Sequence, residues 1–176
     1  MVALARATED VLQQGLALLS ELNGESFAAM APEPYSASIG QHYRHVLDHF
    51  LCLESGLAAG EIDYDNRERN PRLETDLDCA RATTERLINV FNQYDFELLN
   101  RPCVVKYSVG YGNAAPVRLP SVVARELAFC IGHSVHHYAI VRLLCDSVGV
   151  EVVPEFGVAP STLKHRAELM ASLALP

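Results

Sequence analysis

Ser38-Ile39-Gly40-Gln41-His42-Tyr43-Arg44-His45-Val46-Leu47-Asp48-His49-Phe50 combines a helix start, an apolar stripe and a histidine cluster in one short run. Ser38 through Gln41 has the form of a capping box, in which the serine hydroxyl takes an orphan amide and the glutamine returns to the cap. Ile39, Tyr43, Val46, Phe50 and Leu53 continue one apolar face at helical spacing, which predicts a helix from about 37 to 58. His42, His45 and His49 all fall on one flank of that stripe. Helical geometry alone does not choose among them.

The neighbouring stretches set this helix in a larger frame. Leu4, Thr8, Val11, Leu12, Gly15, Leu18, Leu19 and Leu22 repeat at helical spacing before Asn23-Gly24, giving a first helix over 4–22. A polar, charge-rich connection from Gly60 to Arg72 follows the second helix. Leu77, Ala80, Thr84, Leu87, Ile88 and Phe91 then define a third over roughly 74–94, with Thr75 as its cap. Val104 to Val109 is rich in β-branched residues, and Gly110-Tyr111-Gly112-Asn113 supplies turn chemistry before Val117, so a short β-hairpin is expected. Pro120 suits the first position of a long fourth helix to about Ser147. Pro160-Ser161-Thr162 opens a last helix to about Leu175. Four principal helices point to an all-α, four-helix bundle forming a single domain over 1–176, with a hairpin insertion and an extra C-terminal helix.

Six of the seven histidines lie in two clusters. The second, Gly132-His133-Ser134-Val135-His136-His137, sits in the middle of the fourth helix. At ~100° per residue, His133 and His137 are about 40° apart on one stripe with Glu126 and Cys130, while His136 turns about 60° to the other side. Two imidazoles one turn apart suit two ligands of one divalent ion, and a third from the earlier cluster would leave an open position. Cys130 at Cys-x-x-His spacing is read as a small core residue. Asp48 or Glu126 is a candidate to hydrogen-bond a ligand imidazole, with His42, His49, His136 and Tyr138 as further neighbours of the site.

Composition excludes other classes. The 22 acidic residues outnumber 14 basic ones, a net charge of -8, which argues against a nucleic-acid partner. No apolar run approaches the ~20 residues of a membrane span, and the N-terminus lacks a signal-peptide pattern, so a cytoplasmic protein is expected. Five scattered cysteines without a Cys-x-x-Cys pair suit reduced thiols. Glu-x-x-His, His-Glu-x-x-His, Gly-x-Ser-x-Gly and P-loop patterns are absent, which removes di-iron carboxylate, zincin, serine-hydrolase and nucleotide-binding readings.

The segment Ser38–Phe50 together with His133-Ser134-Val135-His136-His137-Tyr138 resembles the DinB/YfiT-like superfamily of metalloenzymes. The resemblance implies an up-down-down-up four-helix bundle holding one divalent ion, commonly zinc or nickel, through three histidines. It places the first ligand three residues before an acidic position, as His45 stands to Asp48, and the other two at His133 and His137. Many relatives continue after the last ligand with Arg-Gly-Gln, where this chain has Tyr138-Ala139-Ile140. Characterised relatives include thiol S-transferases and a mycothiol-dependent isomerase. The implied partners are a low-molecular-weight thiol and an electrophilic small molecule, in a homodimeric protein. An open dication on neutral imidazoles can generate a nucleophile near neutral pH, for thiol transfer or hydrolysis. The alternative is a non-catalytic, metal-stabilised bundle that dimerises or binds a partner through an apolar helix face.

Overall fold

A computed structural model of the chain describes residues 2–111 and 115–173. Its elements are α1 (Val2–Glu21), α2 (Gly24–Ala28), α3 (Ile39–Gly56), β1 (Glu61–Asp63), α4 (Arg72–Thr75), α5 (Leu77–Phe91), α6 (Phe96–Leu99), β2 (Pro102–Tyr107), β3 (Val117–Val122), α7 (Val123–Ser147) and α8 (Pro160–Leu173). The expected hairpin turn at Gly112-Asn113 and the end of the last helix beyond Leu173 lie outside the described residues.

α3 forms where its sequence predicts. Ser38 Oγ accepts from Gln41 N at 3.0 Å, and Gln41 Oε1 accepts from Ser38 N at 3.1 Å. Ile39, Tyr43, Val46, Leu47, Phe50 and Leu53 are buried along one side. That face packs on α5 and α7, while α1 packs on the same two helices. The core therefore lies among four long helices, as their apolar stripes require. Replacing Ser38 by alanine removes the buried cap and is expected to cost about 1 kcal/mol. A thermal melt checks this, and an unchanged Tm would contradict the role of the cap.

The fold is mostly helical but carries more strand than a hairpin. β2 and β3 pair antiparallel, and β1 adds parallel to β2 through Glu61↔Val104, Ile62↔Val105 and Asp63↔Lys106, making a three-stranded sheet in the order β1-β2-β3. The connection read as a charged loop is thus partly a strand, with Ile62 and Tyr64 buried. Lys106 bridges to Asp63 at 2.7 Å across the β1–β2 pair.

Two predicted helix starts move. Pro120 does not open the fourth helix: it lies in β3 opposite Val104, on an edge strand where a missing N–H is tolerated, and α7 begins at Val123. The cap of α5 is Asp76 rather than Thr75. Asp76 has extended backbone and its Oδ1 accepts from Cys79 N at 3.0 Å, whereas Thr75 closes the preceding short helix with its hydroxyl on the Pro71 carbonyl.

Candidate metal centre

α3 and α7 pack against each other and each brings an i, i+4 histidine pair to the contact. His45 and His49 project from α3, and His133 and His137 from α7. Nε2 of His133 stands 3.0 Å from Nε2 of His45. Two nitrogens bound to a common ion at ~2.0–2.1 Å would be roughly 3.0–3.4 Å apart, so this pair already has the bite of a metal site. The His137 ring centroid lies 4.5 Å from those of both His45 and His133. The His49 centroid is 4.7 Å from His45 and 4.1 Å from His133.

The third and fourth imidazoles are held differently. His49 is buried, with its Nδ1 2.8 Å from the His45 carbonyl. The carbonyl can only accept, so Nδ1 carries the proton and Nε2 keeps its lone pair. Its ring stacks on Tyr64 at 5.4 Å. One ring nitrogen each from His45, His49 and His133 lie within 4.8 Å of one another, a set able to hold an ion. His137 instead places Nδ1 3.0 Å from Nδ1 of His42, which leaves its Nε2 uncommitted.

The electrostatics favour ligation. Burial, reinforced by His49, His137, Arg67 and His133, pushes the His45 imidazole down to about 2. Burial and the neighbouring histidines hold His133 at about 3 and His137 at about 4. His42 and His49 are also lowered, chiefly by burial. Crowded imidazoles that resist protonation present lone pairs at neutral pH, the form a cation requires.

The remaining candidates are placed around this centre. His136 is exposed on the outer side of α7, next to His137 at 5.3 Å between centroids. Asp48 is buried and has the guanidinium Nε atoms of Arg44 and Arg67 each at 3.8 Å, beyond hydrogen-bonding reach. Burial raises its pKa and these arginines oppose that rise. Glu126 accepts from Ser121 and Arg125. Among the described residues neither carboxylate hydrogen-bonds a histidine. Tyr138 is fully buried, stacked between Tyr43 and Phe156. Cys130 is buried with its Sγ 3.7 Å from the Tyr64 hydroxyl, and burial raises the thiol to about 12, as befits a core thiol.

Tyr64, Arg67 and Phe129 were not singled out by the sequence pattern. Tyr64 and Phe129 stack on His49 and His133. Arg67 donates to the Tyr64 carbonyl at 2.6 Å, which anchors it beside the site. The alternation Glu61-Ile62-Asp63-Tyr64-Asp65 carried the signal for a half-buried strand ending at an inward tyrosine.

A helical protein whose two central helices join four imidazoles across their contact is, by class, a candidate metal-binding bundle. Residues 7–141 match the DinB superfamily, and the chain belongs to that family. The structure is similar to the crystal structure of a DinB-like protein from Bacillus subtilis, with a TM-score of 0.61 and 17% identity, over 86% of this chain and 96% of that one. That likeness is one of fold. The chain is also 31% identical over 104 residues to a protein named FK506-binding protein 5 of Rhizopus delemar, covering 59% of this chain. It spans 27% of that relative's length. Among the described residues no helix is long and apolar enough to cross a membrane.

Proposed function

We propose that His45, His133 and His137 hold one divalent ion, zinc or nickel, in a bundle with the family's up-down-down-up course. The chain would then act as a metal-dependent thiol S-transferase or hydrolase on a small electrophile, in the cytoplasm and as a homodimer. The observation that carries the reading is the 3.0 Å approach of the His45 and His133 Nε2 atoms beside two further neutral imidazoles. Three histidines leave an open position, and the ion there supplies Lewis acidity. Tyr64 stacks on the His49 ring and Phe129 on the His133 ring, which holds those imidazoles in place.

A second reading has its own support. A nitrogen of His49 already stands with those of His45 and His133, so four imidazoles can close the coordination sphere. A closed tetrahedral site is structural. The chain would then be a metal-stabilised module that dimerises or binds a partner, and α8 offers a surface for it. No residue of α8 is buried, and Leu169, Met170 and Leu173 are exposed.

Cobalt-substituted protein titrated with a small thiol separates the two. A thiolate-to-cobalt charge-transfer band, with thiol consumption when an electrophile is added, is the result expected of the open site. No band, no thiol-dependent turnover and no hydrolysis across an electrophile panel would sink the catalytic reading and leave the closed one.

A further inference from the structure

α3 and α7 meet through a second imidazole pair, one helical turn along from His45 and His133. Nδ1 of His42 and Nδ1 of His137 stand 3.0 Å apart, with the ring centroids 5.2 Å apart and the planes inclined at 38°. His42 is half-buried and lies three residues before His45 on the same helix. Two ring nitrogens at that distance share one proton, so one imidazole donates and the other accepts.

His49 shows how the same problem is solved locally. Its Nδ1 is held by the His45 carbonyl of its own helix at 2.8 Å, so the backbone of α3 fixes its tautomer however α7 packs. His137 could have used the His133 carbonyl, four residues back, in the same way. Its Nδ1 is committed instead across the helix contact, to α3. A histidine that binds a cation through Nε2 carries its proton at Nδ1, and such ligands nearly always give that proton to an acceptor. We infer that His42 is that acceptor, a positioning residue that orients the His137 ring and holds it in the Nδ1–H tautomer while keeping its own proton at Nε2. The reverse assignment, with His42 donating, would put the His137 proton on Nε2 and close that atom to a cation.

The inference rests on His137 being a ligand, as proposed above. It gives each end of the α3 cluster a separate task. His45 meets His133 directly, and His42, one turn earlier, sets the second imidazole of α7. The acceptor behind a ligand histidine is commonly a carboxylate or a carbonyl. Here the carboxylates nearest the two clusters are engaged elsewhere: Asp48 lies beside Arg44 and Arg67, and Glu126 accepts from Ser121 and Arg125. The imidazole of His42 takes the place such a group would fill.

Zinc affinity, measured by competition with a chromophoric chelator on the full chain and on His42→Leu and His42→Asn, tests this. Leucine fills the space of the ring without an acceptor, whereas asparagine offers an amide oxygen close to where Nδ1 stands. His42→Leu should bind zinc about 10–100-fold more weakly than wild type, and His42→Asn should recover most of that loss. A role in packing alone predicts the opposite order, because leucine is the better apolar filler. Histidine-selective nitrogen NMR of the zinc-loaded protein should show His137 protonated at Nδ1 and His42 protonated at Nε2. Wild-type affinity in His42→Leu, an asparagine variant no better than the leucine one, or a His137 proton on Nε2 would overturn the inference. If His133→Ala loses zinc while His42→Leu keeps wild-type affinity, the metal centre stands and the role of His42 falls. If His133→Ala keeps zinc, both fall.

Discussion

Replacing His133 by alanine is expected to take the purified protein from about one divalent ion per chain to almost none. His133 is the residue all the geometry shares: its Nε2 meets that of His45, and its ring contacts those of both His49 and His137. His45→Ala should do the same. The two remaining histidines separate the readings. With an open three-histidine site, His137→Ala loses the metal and His49→Ala keeps it. In a four-imidazole site both substitutions weaken binding by similar factors without abolishing it. Loss at His49 with retention at His137 would move the third ligand to α3. Elemental analysis of the four variants reads this directly, and metal retained by both His45→Ala and His133→Ala would remove the site altogether. A bound ion also stabilises the fold by mass action, about 2.7 kcal/mol at a hundredfold excess over Kd. Chelation should therefore lower the wild-type Tm and leave that of His133→Ala unmoved.

The parts of this centre that sequence makes legible are those set by local periodicity. Ser38 and Gln41 announce the start of α3, and the i, i+4 spacing of His133 and His137 puts them on one face of α7 without any tertiary information. The choice among His42, His45 and His49 is different in kind. All three lie on one flank of α3, and only the approach of α7 decides that His45 meets His133, that His42 meets His137, and that His49 turns inward onto Tyr64. Non-local pairing also hid the sheet. β1 is three residues long and is stable only because it adds to β2 some forty positions later. Pro120 carries opposite meanings at a helix start and on an edge strand, and the pairing with Val104 settles which. Asp76 took the cap from Thr75 because the chain turns once through α4 before α5 begins, a break that apolar spacing does not register. Glu126 is the informative case. Its place on the ligand stripe suggested a partner for an imidazole, yet it lies in the first turn of α7, about two helical turns before His133, and accepts there from Ser121 and Arg125.

Gly15→Val is expected to destabilise the fold by about 3 kcal/mol, which for a chain of this size lowers Tm by roughly 6–12 °C. Sequence logic argues the opposite sign. Gly15 lies within α1, and glycine in a helix interior is worse than alanine by about 1 kcal/mol. The deciding fact is what crosses over it. A Cβ at position 15 would run into the Tyr138 hydroxyl oxygen and would stand 2.6 Å from that of Tyr43. Both tyrosines are fully buried and their rings stack at 6.4 Å. Tyr138 cannot swing away, because its other face is packed on Phe156 and its backbone is in close contact with Gly157. Tyr43 is tied to Thr84 through a 3.0 Å hydroxyl bond. The clash therefore outweighs the gain in helix propensity, and even Gly15→Ala should lose stability. The Tyr138 hydroxyl faces that of Tyr43 but makes no well-formed hydrogen bond among the described residues, so Tyr138→Phe alone should change stability by less than about 1 kcal/mol. Placed together, Gly15→Ala and Tyr138→Phe should be less destabilising than Gly15→Ala alone, since the phenylalanine removes the nearer of the two oxygens. The Tyr43 oxygen stays, so the rescue is partial. Thermal or urea melts of the two single variants and the double give the coupling directly. Additive effects, or a Gly15→Ala protein more stable than wild type, would show that α1 and α7 do not meet through these tyrosines.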